Sequence, residues 1–286
     1  MTNLQRNEKR VKRLLLVIAM SSVSILGLII LFVFKEGIPI IFKVGLKNFL
    51  TGTTWAPTKG TVTSFGILPM IIGTIQVTFG ALLLGMPLSI LVAIHLSEYA
   101  SPTMRSIMKP TIELLAAIPS VVYGFIGVVV IVPFIREWFG GPGFSVLTAS
   151  IILGIMILPT VISITYESIR AVPDSYREGA LALGATKWQT ITRVVLPAAR
   201  SGIVTAMILG MGRAMGETMA VIMVAGNSVV IPLSPLHPCR TLTANIAIEM
   251  AYASGDHQKA LFATGVVLFI MIFILNSVAG MIIKRK

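Results

Sequence analysis

The sequence has 286 residues, of which 55% are hydrophobic and 12% charged, against roughly a quarter charged in soluble globular proteins. That balance excludes an ordinary soluble domain and indicates an integral membrane protein. The formal net charge of +12 does not point to nucleic acid, because the basic residues sit beside apolar runs, where positive-inside bias places them.

Taken in order, residues 1–13 carry Arg6, Lys9, Arg10, Lys12 and Arg13. Residues 14–34 are 21 apolar or small residues, enough to cross a core of about 30 Å at about 1.5 Å per residue. Phe32-Val33-Phe34-Lys35 is not a small-residue cleavage site, so the run is read as a retained span rather than a signal peptide. Residues 35–65 are rich in Gly and Pro; 38–50 reads either as an amphipathic segment on the membrane surface or as a plain extracytoplasmic loop. Residues 66–95 form a second span, containing Thr74, Gln76 and Thr78, which prefer a bundle interior to lipid. A short polar loop is expected at 97–109, a third span at 110–135, a short loop at 136–142 and a fourth span at 144–164. After the polar stretch 173–200 come a fifth span at 202–226, an outer loop at 227–259 and a sixth span at 260–283. Lys284-Arg285-Lys286 closes the chain. The expected fold is therefore all-α, an integral membrane protein with six transmembrane helices.

Six spans put both termini on one side. The termini and the segments 98–110 and 167–200 hold fifteen of the 23 Lys and Arg, and the opposite loops hold seven. The basic side is expected to be cytoplasmic. The single Cys239 excludes an internal disulfide, and His95, His237 and His257 are far apart, so no metal site and no cofactor are expected. Asn245 and Glu249 in the outer loop read as part of a solvated face, with contact to a partner protein as the competing reading.

Residues 173–200 are the longest charged interruption between apolar segments. The order Glu178-Gly179-Ala180, then Gly184, then Val194-Val195-Leu196-Pro197 resembles the EAA motif of ABC-importer permeases. Gly179 replaces the usual Ala, and Val194 the usual Ile. Gly184 reads as a place where another backbone comes close. The resemblance implies a cytoplasmic coupling helix that docks on a separate ATPase. Gly179-x4-Gly184 is followed by Ala185-Thr186-Lys187, so it is not a phosphate loop, and no ATP binding is expected on this route.

Arg213 lies inside the fifth span, 12 residues beyond Ser201, so about 18 Å along a helix. An Arg at that depth costs about 2.5–3.5 kcal/mol and must face protein or water. Glu217, at i+4, is placed to neutralise it, and Gly210, Gly212 and Gly216 clear space around the pair. The planar guanidinium suits two oxygens of a tetrahedral oxyanion; an internal salt bridge is the competing reading.

The stretch from Gly212 to Asn227, with 113–124 and 181–186, is similar to PstC-type permeases of the bacterial phosphate importer. That similarity covers roughly 66–283. It implies a type I ABC importer permease fold, divided into an N-terminal segment 1–65 and a permease domain 66–286, in the bacterial plasma membrane. It implies phosphate as substrate and transport roles for Arg213 and Glu217. It also implies three partners: a PstA-like second permease subunit, a PstB-like ATPase dimer and a PstS-like extracytoplasmic binding protein. The chain itself is then not an enzyme. Another oxyanion (molybdate, sulfate or phosphonate) is the alternative within the family. An ion-driven secondary transporter or channel and a sensory scaffold are the alternatives from other classes.

Overall fold

The computed structural model describes residues 3–58 and 63–284. Lys59, Gly60 and the terminal Arg285-Lys286 lie outside the described residues, as do the side chains of Arg6, Lys9, Arg10 and Lys284. Helix α1 (Asn3–Val44) leads through α2 (Leu46–Thr51) to a two-residue antiparallel pair, β1 (Trp55–Ala56) with β2 (Ser64–Phe65). Helix α3 (Leu68–Ile94) ends in a π-helical turn, His95–Tyr99, and α4 (Pro102–Ala116) follows. Helices α5 (Ser120–Ile126) and α6 (Val132–Phe139) are joined by a second π turn into one apolar rod. Helix α7 (Val146–Arg170) leads into the short helices α8 (Asp174–Ala182), α9 (Lys187–Thr190) and α10 (Leu196–Ala198). The chain ends with α11 (Arg200–Gly216), α12 (Met219–Val224), α13 (Leu242–Glu249) and α14 (Asp256–Lys284).

Among the described residues, five helical stretches are long and apolar enough to cross a membrane: Val11–Val44, Leu68–Tyr99, Ser120–Phe139, Val146–Arg170 and Asp256–Val278. A sixth is the pair Lys187–Ala198 and Arg200–Gly216, bent by 68° between its halves.

Helix α7 is the central post. Ala149, Leu153, Ile157 and Val161 on it are fully enclosed. Lipid tails are as apolar as Leu, so helices in a membrane associate through close packing rather than through exclusion of water. Gly85 of α3 and Gly154 of α7 provide that closeness: a Cβ at Gly85 would stand 2.7 Å from the Gly154 carbonyl oxygen. Helix α1 packs on α14 through Phe32 against Phe262 and Phe34 against Phe269, with ring centroids 5.4 and 5.8 Å apart. Its other apolar side chains, such as Leu14, Val17 and Leu28, stand exposed. A second core, at the end where α3 begins, gathers Ile40, Phe49, Trp55, Phe65, Leu242 and Leu261.

Five sequence expectations change. Residues 38–44 and 46–50 are helical rather than a plain loop, with Ile40 and Phe49 buried against protein and Phe42 and Leu46 exposed. The loop expected at 97–109 is mostly α4, started by Ser101, whose hydroxyl accepts the Met104 N–H, and by Pro102 at the first helical position. The third span begins at Ser120 rather than 110, because Pro119 is extended (ψ 140°) and breaks the run. The fifth span's helix ends at Gly216, ten residues short of the expected boundary. The outer loop 227–259 contains α13, in which Asn245 and Glu249 are buried; the solvated face expected there is overturned.

Candidate functional site

Arg213 projects from α11 and is partly buried. Its Nη1 donates to Thr160 Oγ1 of α7 at 3.1 Å. The expected ion pair with Glu217 is not among the ion pairs of the described residues. The reason is local. An i,i+4 contact needs a continuous helix, and α11 stops at Gly216, where Glu217 turns extended (φ −69°, ψ 133°). Glu217 instead accepts the Ala220 N–H on Oε1 at 3.1 Å and so caps α12. Its backbone oxygen accepts the Thr243 hydroxyl of α13 at 2.8 Å. The break therefore sits where α11, α12 and α13 meet.

The three glycines divide. Gly210 touches Val161: a Cβ there would meet that side chain at 2.7 Å. At Gly212 and Gly216 a Cβ would meet nothing within 4 Å, so both open onto space. A guanidinium has five N–H donors, and a single bond to Thr160 leaves most of them for a ligand.

In the polar stretch 173–200 a sharp turn separates α8 from a second helical piece, in which a π turn, Ile191–Val195, joins α9 to α10. Gly184 is left-handed, φ +84°. Ala185 N–H bonds Ala180 O at 3.1 Å and Gly184 N–H bonds Leu181 O at 2.9 Å, a Schellman termination of α8. Thr186 and Gln189 then form a capping box that starts α9. Gly184 is thus required by backbone conformation, and no part of the chain approaches it closely. Glu178 and Gly179 are exposed, Ala180 is partly exposed, and Leu183 (91%) and Trp188 (64%) stand out from the surface. Leu196 packs on Ile169, Val172 and Val195 while Pro197 is exposed, so the last part of the motif faces the body and the first part faces outward.

Sequence reasoning missed one constellation. Glu249 accepts from Arg240 Nη1 at 2.7 Å and from Trp55 Nε1 at 2.8 Å, and pairs with His257 Nε2 at 2.8 Å. Arg240 also donates to Asn245 Oδ1 at 3.0 Å and Asn227 O at 3.0 Å. This buried network ties α13 to the β1 strand and to the start of α14. No motif signals it, because Trp55 and Glu249 are 194 positions apart.

A mostly helical bundle with apolar helices long enough to cross a membrane, an outward-facing loop of this kind and an arginine beside a broken helix fits a membrane permease subunit. The chain belongs to the family described as the binding-protein-dependent transport system inner membrane component, which matches residues 85–286. It is 40% identical over 95% of its length, and 89% of the relative's, to the "Probable ABC transporter permease protein YqgH" of Bacillus subtilis. It is 38% identical, over 83% of its length and 79% of the relative's, to the "Phosphate transport system permease protein PstC" of Xylella fastidiosa. In fold it resembles a chain of a bacterial ABC transporter involved in the import of the acidic polysaccharide alginate. That likeness has a TM-score of 0.63, 19% identity, and coverage of 98% of this chain and 99% of the other. It also resembles a chain of the MetNI methionine ABC transporter, at a TM-score of 0.58 with 20% identity, covering 74% of this chain and 92% of that one. The type I importer permease fold expected from the motifs is thus the fold observed.

Proposed function

We propose that this chain is one of two permease subunits of an ATP-driven phosphate importer, with Arg213 as an anion contact on the translocation path. The observation that carries the anion contact is the state of Arg213. It has a hydroxyl partner in Thr160, no carboxylate within ion-pair distance among the described residues, and open space at Gly212 and Gly216. Phosphate is favoured over other oxyanions by relatives such as the phosphate transport system permease protein of Xylella fastidiosa. Glu217, one residue past the end of α11, lies near enough in sequence to compete for Arg213 if the break closes during transport. A carboxylate there also accepts the proton of a hydrogen phosphate, which sulfate lacks near neutral pH.

The exposed Leu183, Trp188 and Glu178 suit a protein surface, and an ATPase pair is assigned to it. The positive side, including both termini, is then cytoplasmic. A second permease subunit completes the path, and an extracytoplasmic binding protein delivers the anion to the other face. Residues 66–286 make the permease core, and 1–65 an accessory segment laid on α14. The test is phosphate uptake by the reconstituted complex with Arg213→Ala, at matched membrane abundance. Uptake is expected to fall severely while the binding protein holds phosphate as before.

A further inference from the structure

Within the segment read above as the ATPase contact, the later part packs on the transmembrane body through Val195 and Ala199, whereas the exposed helix α8 has its polar attachments concentrated at one residue. No residue of α8 is buried, so packing holds it weakly. Among the described residues, every side-chain hydrogen bond between α8 and a part of the chain outside it comes from Arg177. Its Nη2 and Nε donate to Glu98 Oε1 at 2.8 and 3.3 Å. Its Nη1 and Nη2 also donate to Val172 O at 2.7 Å and Ile169 O at 3.0 Å, carbonyls at the end of α7. The two charged side chains are 15% and 9% exposed, so solvent screens the pair little.

Glu98 lies in the π turn His95–Tyr99 that ends α3. Two more cations reach that turn. Lys187 of α9 places Nζ 4.5 Å from the centroid of Tyr99. Arg105 of α4 donates to Leu96 O at 2.9 Å and to Ser97 O at 2.6 Å. Three basic residues from three helices converge on five residues. A π turn is a local departure from α geometry that recurs at functional sites. Here it needs outside donors for its carbonyls, and it is the last turn of a helix that runs to the outer core.

We propose that Glu98 and Arg177 are the positioning pair through which movement of α8 reaches α3, with the π turn as the receiving hinge. The proposal rests on the reading that a partner ATPase moves α8. Two guanidinium N–H groups converge on one Glu98 oxygen while two more bonds hold the same guanidinium on the end of α7, so the side chain is fixed in orientation as well as attracted. Lys187 on Tyr99 adds a weaker contact of the cation–π kind.

The experiment uses the whole complex, this chain with its partner permease, ATPase and binding protein, in liposomes. It reads phosphate taken up per ATP hydrolysed. Glu98→Gln combined with Arg177→Met leaves no unpaired buried charge, so the double variant is expected to insert and to copurify with the ATPase. Its uptake per ATP is expected to fall at least about tenfold, the scale of losing one good charge-assisted contact. Arg177→Lys keeps the charge but loses the fork, and is expected to lie between the double variant and the unaltered chain. A merely structural pair gives the neutral double variant a normal ratio; that result, or a normal ratio in Arg177→Lys together with it, overturns the proposal. If the unaltered chain brings down no ATPase, the reading beneath the proposal fails, and the proposal with it.

Discussion

Arg213 reaches across to Thr160 of α7 at 3.1 Å, while Glu217, four residues on, turns away to cap α12. The two charges most conspicuous in the fifth span are therefore separated by a backbone break rather than joined by a helical turn. The break gives each a different attachment. Arg213 is tied to the central post, and Glu217 to the short helix beyond it and, through its carbonyl, to Thr243.

The turn at Gly184 yields a contrast between two small substitutions. At φ +84° a residue with a Cβ costs about 1–2 kcal/mol, and Asn bears that conformation better than Ala. Gly184→Asn is expected to keep more ATPase association and uptake than Gly184→Ala. If close approach of a partner were the reason for glycine, the smaller Ala would do better; copurification of both variants with the ATPase decides it.

The Glu249 network predicts a stability effect far from Arg213. Glu249→Ala leaves Arg240 buried without its carboxylate and removes the acceptor of Trp55 and His257. A loss of about 3–5 kcal/mol is expected, with a smaller loss for Glu249→Gln, which retains an acceptor. Thermal unfolding of the purified protein in detergent measures it. An unchanged Tm in Glu249→Ala would mean that this carboxylate is solvated and carries no structural load.

Topology is tested by thiol labelling of sealed cells. Cys239 is fully buried, and burial pushes its thiol up to about 12, so it is a poor nucleophile near neutral pH. In a Cys239→Ser background an impermeant reagent is expected to label Thr58→Cys and not Thr186→Cys. Both positions are exposed on the protein. Labelling at 186 from outside would reverse the orientation.

Hydropathy located six apolar stretches, and the spacing from Glu178 to Pro197 located the outward-facing loop. Both are properties of neighbouring residues, which is why they were legible. The breaks at Pro119 and Glu217 were not, since the apolar composition runs on through both and only the backbone changes direction. Gly184 was singled out for the close approach of another backbone; its positive φ is a separate, local reason for glycine that spacing does not display. Glu249 was misread because its partners Trp55 and Arg240 come from segments that each look like loop. Thr160 sits beside Pro159 in an apolar run, and nothing in that run marks its hydroxyl as the partner of Arg213.

The most direct measurement is phosphate uptake by the double variant Arg213→Ala with Glu217→Ala, compared with Arg213→Ala alone, in the reconstituted complex at matched abundance. Removing both charges leaves neither unmatched in the membrane, so insertion and assembly are expected to survive. If Arg213 contacts the anion, the double variant is as inactive as Arg213→Ala, and Arg213→Lys recovers only part of the uptake because the planar fork is gone. Near-normal uptake by the double variant would contradict the anion site and mean that transport needs neither Arg213 nor its bond to Thr160.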